Sequence, residues 1–131
     1  MDEGMAAVIY FDTHAVVALY KDFDLLGEKA RRLLRRQDDC AISPIVSLEL
    51  QFLYEIRQIK HSPRQILRHL DNAIGLVICT KPFAAVIEAA ESLSWTRDPF
   101  DRIIVAQASL DLNPLITKDA RIHEHYRKAV W

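Results

Sequence analysis

Short apolar runs alternate along this chain with segments of helical periodicity, and this alternation limits the folds open to it. The runs cover residues 7–11, 40–42, 76–79, 115–117 and 129–131. They show no regular polar alternation, which is typical of strands covered on both faces. Strands separated by helices favour a parallel sheet. We therefore predict an α/β fold with a central, mostly parallel sheet of four or five short strands flanked by helices.

Length and composition favour one domain and exclude a polycation. The chain has 131 residues, of which 50% are hydrophobic, and this is enough for an ordinary core. No linker or change in composition divides it, so we predict a single domain over residues 1–131. The 17 basic and 18 acidic side chains leave a net charge of -1. Any contact with nucleic acid must therefore be local.

Cysteine and glycine usage excludes several further classes of protein. Cys40 and Cys79 are the only cysteines and lack metal-ligand spacing, which argues against a disulfide framework or a zinc site. Three glycines cannot build a phosphate-binding P-loop or a dinucleotide fingerprint. The first four residues are acidic where a signal peptide is basic, and charges interrupt every apolar stretch. We expect a cytoplasmic protein without a membrane segment.

Two aspartates follow the ends of predicted strands. Asp12 comes directly after the first apolar run, and Asp119 follows the run that ends at Thr117. Ligands of open α/β sheets bind at the carboxyl ends of the strands. A helix N-cap explains either aspartate taken alone, because aspartate is among the best capping residues. Capping and function therefore both stay open at each position.

A glutamate lies on a helical stripe that is predicted to face the core. The inward face of this helix is expected to contain Ile45, Leu48, Phe52, Leu53 and Ile56. Glu49 falls on the same stripe, and a buried carboxylate must be paired, protonated or bound to metal. The alternative is that Glu49 lies at the edge of the stripe and pairs with Arg57 or Arg102.

Two aspartates open a later helix. Asp98 precedes Pro99 and is an evident N-cap, while Asp101 stands three residues on, where a capping box has an acid. Asp101 also shares a helical face with Val105 and Ala108. We assign Asp98 mainly to capping and Asp101 mainly to function.

The acids are more informative as a set than singly. Asp12, Glu49, Asp101 and Asp119 are predicted to converge. Oxygen ligands without a cysteine or histidine set favour Mg²⁺ or Mn²⁺. Four negative charges would balance two such ions, which activate water and stabilise the leaving oxygen in phosphodiester cleavage. This indicates a nuclease or a phosphatase. A phosphatase that used Asp12 as its nucleophile would need a second acid two residues later, but His14 stands there, which argues against this class.

These residues resemble the motifs of PIN-domain proteins, and among them the VapC-type toxins of toxin–antitoxin pairs. The matching segments are residues 12–15 (Asp-Thr-His-Ala), 47–49 (Ser-Leu-Glu), 98–102 (Asp-Pro-Phe-Asp-Arg) and 117–119 (Thr-Lys-Asp). The resemblance spans nearly the whole chain. The Asp-Pro-Phe-Asp-Arg run is typical of one subgroup, although Leu48 stands where that subgroup often has an aromatic residue.

The resemblance implies a metal-dependent endoribonuclease toxin. Its acidic quartet, which binds Mg²⁺ or Mn²⁺ and carries catalysis, would be Asp12, Glu49, Asp101 and Asp119. Asp98 would flank this quartet and Thr117 would assist it with a hydroxyl group. The family also implies an RNA substrate, a small VapB-type antitoxin and a homodimer. The alternative is a non-catalytic PIN-like module that binds RNA or protein.

Three residues beside the quartet need a separate interpretation. Arg102 and Lys118 are our candidates for contacts with RNA phosphates, because they lie next to the proposed ligands. His14 is close in sequence to Asp12 and could approach the same cleft, but we expect a packed or capping role for it.

Overall fold

The fold is built on one sheet of five parallel strands. A computed structural model describes residues 7–131; the acidic first four residues lie outside the described range. The strands are β1 (Val8–Phe11), β2 (Asp39–Ile42), β3 (Val77–Ile78), β4 (Leu115–Ile116) and β5 (Ala129–Val130). Their order is β3-β2-β1-β4-β5, and every neighbouring pair is parallel. The predicted α/β fold with a parallel sheet is confirmed.

Helices connect the strands. They are α1 (Thr13–Lys21), α2 (Glu28–Leu34), α3 (Pro44–Glu55), α4 (Pro63–Ile74), α5 (Phe83–Glu91), α6 (Pro99–Ser109) and α7 (Ala120–His125), with a 3-10 turn at Phe23–Leu25. Ser43 and Ser62 cap α3 and α4, and a proline fills the first helical position of each. Gly75 ends α4 in the left-handed conformation, with φ 71°. No helix in residues 7–131 is long and apolar enough to cross a membrane.

The core lies on both faces of the sheet. Ile9 and Phe11 of β1 and Ile42 of β2 are fully buried, and so are both residues of β4. Because the central strands are covered on both sides, their sequences need no polar alternation. A smaller apolar cluster of Val86, Ala90 and Ala106 joins α5 to α6.

The predicted inward face of α3 is wrong. The helix buries Val46 and Leu50, whereas Leu48, Phe52 and Ile56 are 57%, 51% and 48% exposed. Apolar residues lie on several sides of this helix, so periodicity alone does not select the side that packs against the sheet. Glu49 is consequently half-buried at the margin of the packed face.

Candidate active site

The sheet order brings two acid-bearing strand ends together. β1 and β4 are neighbours, so the segment that begins at Asp12 lies beside the segment that follows Ile116. The Asp12 amide donates to the Ile116 carbonyl at 3.1 Å. The buried Thr117 hydroxyl donates to Asp12 Oδ2. The carboxyl edge of the sheet therefore holds Asp12 in a fixed position.

A cleft of about 520 Å³ opens at this edge. Its lining consists of Asp12, Thr13, His14, Glu49, Asp98, Asp101, Ile104, Lys118 and Asp119. The structure thus brings the predicted quartet together with Asp98 and Lys118. Thr117 reaches the group through its bond to Asp12.

Three of these aspartates also cap helices. Asp12 accepts a hydrogen bond from Ala15 N and Asp98 accepts one from Phe100 N, each at 2.9 Å. Asp119 accepts from the amides of the first turn of α7 at 2.8 and 3.1 Å. The capping interpretation is confirmed at all three positions. Each cap uses Oδ1, so capping does not occupy the second carboxylate oxygen.

Asp12 is the most deeply buried of the acids, with 8% of its surface exposed. Burial raises the pKa of its carboxyl group above the ordinary value. The hydrogen bonds from Thr117 and Ala15 act in the opposite direction, because they stabilise the charged form. Asp12 therefore sits where an ionised carboxylate needs further compensation.

The pKa of Asp101 is raised by burial and by the other acids of the cleft. It lies in the first turn of α6 and is half-buried. Burial, followed by the negative charges of Asp98, Asp119, Asp12 and Glu49, raises the pKa of Asp101 to about 6. The acids therefore act on one another as a group.

Thr13 is a site residue that our sequence reasoning missed. Its side chain is buried, and its hydroxyl donates to Glu49 Oε1 at 2.5 Å. The bond joins the start of α1 to the middle of α3. The available signal was a hydroxyl residue directly after Asp12, matching the Thr117 hydroxyl near Asp119.

His14 and Lys118 line the cleft, whereas Arg102 does not. His14 is exposed and lines the cleft, so the expectation of a packed or capping role is wrong; its side chain leaves α1 on the solvent side. Lys118 is exposed at the cleft. Arg102 lies outside the described lining, and its Nε donates to the Thr96 carbonyl at 2.8 Å, which holds the loop that leads to Asp98.

The chemistry of the donor set suits a hard divalent cation. The side chains are carboxylates, and their mutual repulsion, which adds to burial in raising the pKa of Asp101, marks uncompensated negative charge. As the side chains stand, no three His, Cys, Asp or Glu residues within 7–131 are arranged to hold one ion. Two of the acids, Asp12 and Glu49, instead accept hydrogen bonds from threonine hydroxyls.

Several solved structures share this fold. The chain is similar to a protein of a toxin–antitoxin complex from Klebsiella pneumoniae, with 21% identity, a TM-score of 0.64 and coverage of 94% of this chain and 96% of that one. A chain of VapBC2 from Rickettsia felis, bound to a DNA fragment from its promoter, is 16% identical with a TM-score of 0.62. The alignment covers 94% of this chain and 96% of that one. A chain of DNA-bound VapBC from Salmonella typhimurium is 18% identical with a TM-score of 0.60. The alignment covers 95% of this chain and 96% of that one.

Sequence comparison identifies the family directly. Comparison with curated proteins gives no significant match. Residues 9–128, which include all four acids of the quartet, match the PIN domain. This chain therefore belongs to the PIN domain family.

Proposed function

We propose that this protein is a metal-dependent endoribonuclease and the VapC-type toxin of a toxin–antitoxin pair. The observation that carries the proposal is the convergence of Asp12, Glu49, Asp101 and Asp119 at the carboxyl edge of the sheet. Their uncompensated charge favours a cation. We further propose that residues 1–131 act as one domain.

The quartet would hold Mg²⁺ or Mn²⁺. Bound there, such an ion would polarise water and offset the charge of the scissile phosphate. Its positive charge would also lower the pKa of Asp101 from about 6, so that this carboxyl group stays ionised in mildly acidic solution as well as at neutral pH.

The remaining residues of the cleft position the quartet and receive the RNA. Thr117 orients Asp12, and Thr13 orients Glu49, through the hydrogen bonds that these hydroxyls donate. Asp98 flanks the site and fixes the start of α6. Lys118 would neutralise an RNA phosphate at the rim. We keep Arg102 as a second candidate for such a contact.

The partners are proposed from the motifs and from the similar structures. The alignments with one chain each of the VapBC structures and the Klebsiella complex cover almost the whole of this chain. We infer a small VapB-type antitoxin as the partner, a homodimer as the assembly and the cytoplasm as the place of action. The run at residues 98–102 supports the Asp-Pro-Phe-Asp-Arg subgroup.

Cleavage of RNA in the presence of Mn²⁺ tests the proposed activity. We expect Asp12→Asn and Asp101→Asn to lower the cleavage rate by at least about 100-fold, because each removes a charged ligand. Asp71→Asn is the matched control, since Asp71 is an exposed aspartate of α4 outside the cleft lining. Circular dichroism checks that all variants fold.

Two results would contradict the proposal. Wild-type cleavage rates in both cleft variants would show that these acids do not act in catalysis. A wild-type protein that binds RNA but leaves it intact in Mn²⁺ would favour the alternative, a non-catalytic PIN-like module that binds RNA or protein.

A further inference from the structure

The thiol of Cys79 lies in a polar cradle outside the lining of the acidic cleft. Cys79 follows β3, and its amide donates to the Ile42 carbonyl at 2.8 Å. The Tyr10 hydroxyl and Cys79 Sγ form a hydrogen bond of 3.0 Å in which either group can be the donor; once the sulfur is ionised, only the hydroxyl can donate. The Lys81 amide donates to the same sulfur at 3.4 Å. Two hydrogen-bonding groups from different parts of the chain therefore contact one sulfur atom.

A fixed ammonium group lies beside this cradle. Lys81 Nζ donates to the Gln107 carbonyl at 2.9 Å and to Asn113 Oδ1 at 3.2 Å. It also pairs with Asp111 Oδ2 at 3.1 Å and lies 4.9 Å from the centroid of the Tyr10 ring. Only 18% of the Lys81 side chain is exposed. The cation is therefore held in place rather than free in solvent.

A buried amide completes the surroundings of the sulfur. The side chain of Gln107 is fully buried, and neither of its amide atoms has a hydrogen-bond partner among residues 7–131. Such a group is costly in a native protein and needs an explanation. Gln107 is directed at Cys79, where its amide favours the charged form of the sulfur. A thiolate is an acceptor that this amide would satisfy.

We infer that Cys79 is a reactive thiolate and a modification site for peroxides. The thiolate sulfur attacks one peroxide oxygen, an S–O bond forms and the O–O bond breaks. The sulfur loses two electrons and becomes a sulfenic acid, while the departing oxygen takes a proton from water. Tyr10, the Lys81 amide and Gln107 stabilise the thiolate before the attack.

The two cysteines of the chain differ in the pKa of their thiols and in their exposure. Burial opposes ionisation of Cys79, but the hydrogen bonds of Tyr10 and the Lys81 amide, the nearby Gln107 amide and the Lys81 charge hold its pKa below the ordinary value. Burial raises the pKa of Cys40 to about 11, and Asp39 and Asp38 add to the effect. Cys40 is 3% exposed, whereas Cys79 is partly accessible. Cys40 is therefore an internal control.

Alkylation of the full chain with iodoacetamide, followed by mass spectrometry of its peptides, tests the reactivity. At pH 7 we expect Cys79 to react at least about tenfold faster than Cys40, because the thiolate is the nucleophile. Treatment with hydrogen peroxide and dimedone should label Cys79 and leave Cys40 unlabelled. Cys79→Ser should abolish the label while the protein remains folded.

Variants of the cradle separate its effect from simple exposure. Tyr10→Phe removes the hydroxyl and Gln107→Leu replaces the amide with an apolar side chain, and both should raise the pH midpoint of Cys79 alkylation. Tyr54→Phe is the matched control, because Tyr54 is an exposed tyrosine of α3. It should leave the midpoint unchanged.

The inference fails under three results. The first is an alkylation midpoint of Cys79 at or above about 8.5, the value of an unperturbed thiol. The second is equal dimedone labelling of both cysteines. The third is a midpoint that neither Tyr10→Phe nor Gln107→Leu changes. None of these readouts depends on RNA cleavage, so the inference is tested separately from the proposed function.

Discussion

At the scale of single residues, three aspartates that line the cleft also cap helices. Asp12, Asp98 and Asp119 each cap a helix through Oδ1. The dipoles of the capped helices favour negative charge at their N-termini and so offset part of the repulsion among the acids. Asp101 is not a capping residue, and burial together with the remaining repulsion raises its pKa to about 6.

Asp101→Asn should stabilise the protein when no metal is bound. The pKa of Asp101 rises from 3.8 in the unfolded chain to about 6 in the folded one. The folded state therefore binds the proton more tightly, and the stability gained in this way below pH 4 is lost as the pH rises through 6. After allowance for solvent screening, we expect the variant to gain about 1–2 kcal/mol at pH 7.5.

Urea denaturation in EDTA measures this gain. At pH 4 the variant and the wild type should have nearly the same free energy of unfolding, because Asp101 is then protonated in the folded protein. An equal gain at pH 4 and pH 7.5 would show that the effect has a cause other than the charge.

Thr117→Val should destabilise the protein. The substitution leaves the buried Asp12 carboxylate without the hydroxyl that donates to Oδ2, and we expect a loss of about 1–3 kcal/mol. Thr117→Ser keeps the hydroxyl and should retain most of the stability. The free energy of unfolding at pH 7 distinguishes the two variants, and equal values would contradict the role of this bond.

At the scale of helices and strands, the sequence predicted the ends of elements better than their faces. Asp98 caps α6 as expected, because capping depends on local chemistry. The buried face of α3 was not predictable in the same way. Its apolar residues lie on several sides, and only the position of the sheet selects Val46 and Leu50.

Alanine substitutions on α3 test the corrected face. Leu50 is fully buried, so Leu50→Ala should lower the free energy of unfolding by about 2–5 kcal/mol. Phe52 is 51% exposed, and Phe52→Ala should cost less than about 1 kcal/mol. Thermal or urea unfolding of the two variants measures the difference. A larger loss of unfolding free energy in Phe52→Ala than in Leu50→Ala would contradict the corrected face and favour the one predicted from periodicity.

At the scale of the whole molecule, the sheet order determines which acids meet. The sequence identified the members of the candidate site because strand-end acids and helix-start acids have recognisable contexts. It did not predict that Thr13 holds Glu49, since that bond joins residues 36 positions apart. The cradle of Cys79 was missed for the same reason, because Tyr10 and Gln107 reach it through tertiary packing.

The last described residue closes the fold against α2. The Ala30 amide donates to the Trp131 carbonyl at 2.8 Å, and a Cβ on Gly27 would lie 2.2 Å from that carbonyl oxygen. Gly27→Ala must therefore displace backbone, and we expect a loss of about 1–3 kcal/mol. Lys29→Ala, at an exposed position of α2, is the control. Equal melting temperatures for both variants would contradict this contact.

Calorimetric titration of the metal-free protein with Mn²⁺ tests the central claim, that the four acids form one cation site. We predict stoichiometric binding to the wild type at pH 7.5, weaker binding below pH 6 as Asp101 becomes protonated, and loss of binding in Glu49→Gln and Asp101→Asn. Asp71→Asn should bind as the wild type does. Absence of binding heat in the wild type, or equal binding in all four proteins, would contradict the account.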